Sequence, residues 1–206
     1  MKIQVAIDRV TTEKAIKIIE VVKESVDIIE IGTSLIKDYG LQSVRNIRSA
    51  FPDIKILADI KTIDEAEYEF RAAYMAGADI LTVMGAASIN SIEICRNVAQ
   101  EYKKEYMIDL LEVSSNKINE LKRFKDAIFC VHLPSDKDGA GLEELVIQSS
   151  RELIDCPRLA VAGGVNLKTL SIIKKSGFEI AIVGGAITKS ENMLEAANNF
   201  SREARQ

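Results

Sequence analysis

The stretch Ile56-Leu57-Ala58-Asp59-Ile60-Lys61-Thr62-Ile63-Asp64 ends an apolar run with an acid, an amine and a second acid. Alternate side chains of an extended chain share a face, so Asp59 and Lys61 point the same way and Ile60 the other. A carboxylate beside an ammonium at the mouth of a buried strand is costly to desolvate, so the pair is either a structural ion pair or a catalytic one. Other apolar runs end or break in the same manner, at Asp8, Glu30, Asp109 and His132, the only histidine. Glu30 and Asp59 are hard oxygen ligands of the kind Mg2+ takes in ones and twos while keeping waters; their alternative use is pairing with Lys61. His132 is the one side chain whose unperturbed pKa lies near neutrality, which suits proton transfer if it stands at a strand end. Asp109 competes with its neighbour Glu112 as the functional acid. Gly163-Gly164 and Gly184-Gly185 follow two further apolar runs. Without a Cβ, backbone amides approach an anion closely. One such pair serves a tight turn equally well, but two after consecutive strands favour phosphate.

Those residues need a scaffold that gathers strand ends. Strands are expected at 3–7, 27–31, 54–58, 79–83, 106–110, 127–131, 158–162 and 179–183, separated by segments of helical period such as the one from Thr12 carrying Ile16, Ile19 and Val22. A helix over 65–76 should stop at Gly77, and one over 167–175 should open on Asn166 as N-cap and stop at Gly177. Eight such units about 25 residues apart imply a parallel sheet. The first strand is followed by Asp8-Arg9-Val10 rather than G-x-G-x-x-G, which argues against a dinucleotide-binding open sheet. The expected fold is therefore α/β, a compact (β/α)8 TIM barrel forming one domain over 1–206, with its chemistry at the carboxyl rim of the strands.

Composition narrows the function. A net charge of -4 and a pI of about 5.3 argue against nucleic acid as a partner. No apolar run reaches the length of a membrane span, and Met1-Lys2 leads straight into the first expected strand, so no signal peptide is expected. Cys95, Cys130 and Cys156 are odd in number and isolated, as expected of buried thiols in a reducing cytoplasm. Lys103-Lys104 and Lys122-Arg123 read as solvated helix faces, Glu65, Glu67 and Glu69 as acids favoured at a helix N-terminus, and Phe70, Tyr74 and Met75 as packing.

Ala-Asp-Ile-Lys-x-x-Asp at 58–64, Ile-Glu-Ile-Gly-Thr at 29–33, Cys-Val-His at 130–132, Ala-Gly-Gly-Val at 162–165 and Val-Gly-Gly-Ala-Ile at 183–187 resemble the orotidine monophosphate decarboxylase suprafamily nearly end to end. Within it the chain is most similar to the 3-hexulose-6-phosphate synthases, with the 3-keto-L-gulonate-6-phosphate decarboxylases as near relatives. The resemblance implies a Mg2+-dependent aldolase that joins ribulose 5-phosphate and formaldehyde through an enediolate. It implies Glu30 and Asp59 on the metal, Asp8 on substrate hydroxyls, Lys61 on the enediolate, Asp109 in the catalytic set and His132 on protons. Gly163, Gly164, Gly184 and Gly185 would take the phosphate of a phosphorylated ketose. A homodimer is implied too, with Asp64 reaching the neighbouring site. Decarboxylases usually carry Glu in place of Asp109 and Arg in place of Gly185, which favours the synthases. Three loops depart from the synthase pattern, at Glu65-Ala66-Glu67, Met84-Gly85-Ala86-Ala87-Ser88 and Leu133-Pro134-Ser135. The sugar therefore stays open at this level, with a decarboxylase, a lyase for another sugar phosphate and a non-catalytic sugar-phosphate binder as the alternatives.

Overall fold

The computed structural model describes residues 1–134 and 141–206, so Ser135 of the third divergent loop lies outside the described residues. Eight parallel strands close into a barrel in sequence order: β1 (Lys2–Ile7), β2 (Ile28–Ile31), β3 (Ile56–Thr62), β4 (Ile80–Met84), β5 (Glu105–Asp109), β6 (Ile128–His132), β7 (Leu159–Ala162) and β8 (Ile180–Val183), which pairs back to β1. Around them run α1 (Thr12–Val22), α2 (Thr33–Tyr39), α3 (Gln42–Ala50), α4 (Ala66–Met75), α5 (Ile89–Tyr102), α6 (Ser115–Leu121), α7 (Leu142–Glu152), α8 (Leu167–Lys175), α9 (Gly185–Thr188) and α10 (Met193–Arg205).

Strand alternation makes two cores. Ile3, Val5 and Ile7 of β1 face outward and pack with the buried stripe Ala15, Ile18, Ile19 and Val22 of α1. Ile28, Leu57, Ile80, Met107, Ile128 and Ile180 point inward and fill the barrel as a separate cluster. At the amino end the barrel is closed by a chain of ion pairs running Lys2–Glu179–Arg158–Glu105–Lys55. The opposite end is left to the polar residues.

Seven strands fall within one residue of their expected limits, but β3 begins at Ile56 instead of 54 and continues to Thr62 instead of 58. Its start is delayed because the Arg48 guanidinium takes the carbonyl of Ile54 at 2.8 Å. Its end is prolonged by a bulge: β3 advances from Ala58 to Thr62 while β4 advances only from Leu81 to Val83. Lys61 lies in that bulge with φ 49°.

The expected helix signals hold at several points. Asn166 caps α8 through Lys168 N–H at 3.0 Å and Thr169 N–H at 3.3 Å, and the Thr169 hydroxyl accepts the Asn166 N–H at 3.0 Å. Gly77 and Gly177 stop their helices with φ 111° and 83°. Glu65 is the left-handed N-cap of α4 and not its first residue. Two readings are corrected. Lys104 is not on a solvated helix face, because the chain leaves α5 through a left-handed Lys103 and turns Lys104 onto Asp79. Phe70 and Tyr74 are core, but Met75 is 74% exposed, on the outer side of α4. All three cysteines are buried and free.

Candidate active site

The inward alternation at the carboxyl end brings together Glu30 from β2, Asp59 and Lys61 from β3, Thr82 from β4, Asp109 from β5 and His132 from β6. Asp109 is their hub. Its Oδ2 accepts from Lys61 Nζ at 2.7 Å and lies 2.9 Å from His132 Nδ1, while its Oδ1 accepts the Leu111 N–H at 2.9 Å. Burial works against its charge, but the His132 contact and then Lys61 prevail and draw its pKa down to about 2. Glu112 is exposed on the following turn, so Asp109 is the acid that belongs to the cluster.

Lys61 reaches back to Asp59 Oδ2 at 3.2 Å. Burial disfavours its ammonium, yet Asp59 and Asp109 outweigh burial and raise its pKa above that of a free lysine. The Thr82 hydroxyl accepts the Lys61 backbone N–H at 2.9 Å, so its own hydrogen goes to Asp59 Oδ1 at 2.8 Å. Thr33 donates to Asp59 Oδ2 at 2.5 Å. The bulge at Lys61 is thus pinned from the neighbouring strand.

Glu30 is buried, with Gln4 Nε2 donating to its Oε2 at 2.5 Å. Burial first, and then the charges of Asp59 and Asp8, push its pKa up to about 8, against the opposing pull of Gln4 and Lys61. Among the described residues, no group of three or more His, Cys, Asp or Glu side chains could hold a metal ion. Mg2+ needs fewer, since it binds through one or two carboxylates and retained waters. Glu30 and Asp59 are close enough for one charge to disfavour the other, and Lys61 is the neighbouring cation that offsets them in part. That donor set is short of positive charge and fits a divalent cation.

Asp8 lies at the edge of the cluster, accepting the Ser34 N–H at 3.1 Å and the Ser34 hydroxyl at 2.8 Å. Gly32 permits this approach, because a Cβ there would stand 2.1 Å from the Asp8 carboxylate. Asp64 is exposed beyond β3 and outside the cluster. The glycine pairs follow the adjoining strands β7 and β8. Gly163 has φ 90° and faces the Leu133 carbonyl, which its Cβ would meet at 2.2 Å, so packing alone requires glycine there. Gly164 and Gly185 are exposed on the same rim.

Gln4, Thr33, Ser34 and Thr82 escaped the sequence reading. Gln4 carried a usable signal, as the one polar side chain within Ile3-Gln4-Val5-Ala6-Ile7. Thr33 closes the Ile-Glu-Ile-Gly-Thr motif but received no role there, and Thr82 carried no signal, since Thr is an ordinary strand residue.

The model of the orotidine 5'-phosphate decarboxylase / HUMPS family matches residues 1–200. The chain belongs to this family. It is 33% identical to the 3-hexulose-6-phosphate synthase of Bacillus subtilis over 207 residues, covering 98% of each chain. A crystal structure of a 3-hexulose-6-phosphate synthase superposes with a TM-score of 0.91 at 35% identity, covering 98% of this chain and 99% of that one. The KGPDC of Streptococcus mutans, in a ligand-bound crystal structure, gives a TM-score of 0.91 at 26% identity over 99% of this chain and 97% of that one. These relatives of the orotidine 5'-phosphate decarboxylase / HUMPS family are enzymes that carry the same closed barrel. Among the described residues of this member, no helix is long and apolar enough to cross a membrane.

Proposed function

We propose that the protein is a Mg2+-dependent aldehyde-lyase that condenses formaldehyde with ribulose 5-phosphate to give hex-3-ulose 6-phosphate. The observation that carries this reading is the Asp109 hub, which binds an ammonium and an imidazole through one carboxylate oxygen. Removing a proton from the carbon beside a ketone creates an enediolate, so the site must hold a base and positive charge together. With Nδ1–H donated to Asp109, His132 keeps Nε2 as the base that takes this proton. Lys61, held charged by Asp59 and Asp109, offsets the developing oxyanion. Mg2+ held by Glu30 and Asp59 would supply Lewis-acid polarisation of the same oxygen. The nucleophilic carbon then attacks the carbonyl carbon of formaldehyde, forming the new C–C bond as the C=O π bond opens, and the resulting alkoxide takes back the proton held on His132 Nε2. Asp8 contacts sugar hydroxyls, and the turns Gly163-Gly164 and Gly184-Gly185 hold the phosphate through their amides. Identity of 33% to a synthase and 26% to a KGPDC supports condensation over decarboxylation.

The active form in this reading is a homodimer. Ile63, Tyr68 and Met75 are 53%, 72% and 74% exposed on and beside α4, with Asp64 next to Ile63 ahead of its amino end. A second copy covering this face would take Asp64 into its own site.

The test is consumption of formaldehyde by the purified protein with ribulose 5-phosphate and Mg2+. Turnover by the wild type and its loss in Lys61→Ala are expected. No turnover by the wild type, or undiminished turnover in Lys61→Ala, overturns the proposal, and CO2 release from 3-keto-L-gulonate 6-phosphate selects the decarboxylase.

A further inference from the structure

Gln4 is fully buried on the inner face of β1, in register with Ile28 on one side and Ile182 on the other. Both neighbours belong to the apolar cluster that fills the barrel, where leucine or isoleucine would be the ordinary occupant. Instead an amide sits there, and among the described residues its Oε1 is the one buried side-chain nitrogen or oxygen without a hydrogen-bond partner. Leaving a buried acceptor unpaired is unfavourable, so the fold alone gives no reason for this residue. Its other end gives one. Nε2 donates to Glu30 Oε2 at 2.5 Å, and Glu30 stands one inward step nearer the rim, in register with Ala6. Glu30 Oε1 accepts nothing from the described residues.

We infer that Gln4 is a positioning residue that fastens one oxygen of Glu30 to the barrel floor and so leaves the other to a divalent cation. The inference rests on the reading of Glu30 as a metal ligand. A side chain that orients a ligand in this way acts on metal affinity through the ligand, without touching the metal.

The role separates from a structural one because the two move stability in opposite directions. Gln4→Met keeps the length and removes both amide groups, and Gln4→Leu does the same with a different shape. Binding of Mn2+ alone, counted from the electron paramagnetic resonance of the free ion, and thermal unfolding without metal are measured on the full chain. Wild type should bind Mn2+, with both variants weakened by about tenfold or more while their metal-free melting temperature equals or exceeds that of wild type. Variants that bind Mn2+ as wild type does overturn the role of Gln4 and leave the metal reading standing. Affinity and metal-free stability falling together, or failure of both variants to fold, assigns Gln4 to the fold and overturns it as well. A wild type that binds no Mn2+ overturns the metal reading itself, and this inference with it.

Discussion

Glu30 holds its proton more firmly in the folded chain than in water, because burial, Asp59 and Asp8 raise its pKa from 4.5 to about 8. For an acid whose folded pKa is raised, the protonated form is the one the fold favours. Its contribution to stability is complete below the unfolded value near 4.5 and is lost as the pH rises through about 8. The metal-free protein should therefore melt at a lower temperature at about pH 9 than at about pH 5, and Glu30→Gln, neutral throughout, should lose that component. Thermal unfolding of both proteins across this range checks it; parallel profiles would contradict the electrostatic account. Mg2+ should restore the wild type at the alkaline end, since a bound cation removes the reason for Glu30 to stay neutral. Asp109 behaves oppositely, its pKa of about 2 keeping it ionised wherever the protein is folded at ordinary pH.

At the level of elements, the turns after β7 and β8 join packing to function. Gly163→Ala would set a methyl 2.2 Å from the Leu133 carbonyl at φ 90°, whereas Gly177→Ala at φ 83° meets nothing within 4 Å. The first should cost about 2 kcal/mol or more in urea unfolding and the second about 1 kcal/mol, from its backbone conformation alone. Equal losses would show that the Leu133 contact is unimportant. Much of this layer was legible in the sequence. Alternating apolar runs fixed seven strands to within a residue, and Asn166, Gly77 and Gly177 marked helix ends by chemistry that acts locally. The end of β3 was not legible, because a bulge depends on what the next strand offers, here the Thr82 hydroxyl under the Lys61 N–H. The acids, lysine and histidine of the site were legible as strand-end residues. The roles of their hydrogen-bond partners Thr33, Ser34 and Thr82 were not, since those roles come from contacts between segments more than 20 residues apart in sequence. Met75 was misread for a related reason: periodicity tells which residues share a helix face but not how far the core reaches around it.

At the scale of the molecule, the barrel is shut by ion pairs at its amino end and open to the acid–lysine–histidine cluster at its carboxyl end. The outer face of α4, which carries Tyr68 and Met75, lies outside both. If a second copy covers it, Tyr68→Glu together with Met75→Lys should shift the protein from dimer to monomer in sedimentation velocity and abolish turnover while leaving the far-ultraviolet circular dichroism unchanged. A monomeric wild type, or a dimer unaffected by both charges, would contradict this. The central claim concerns the carbon acid, and proton exchange reads it without the second substrate. With ribulose 5-phosphate and Mg2+ in D2O, and no formaldehyde, proton magnetic resonance should show the wild type replacing a hydrogen at C1 with deuterium, and Lys61→Ala failing to do so. Retention of the C1 protons by a wild type that still consumes formaldehyde, or equal exchange by Lys61→Ala, would contradict the enediolate account.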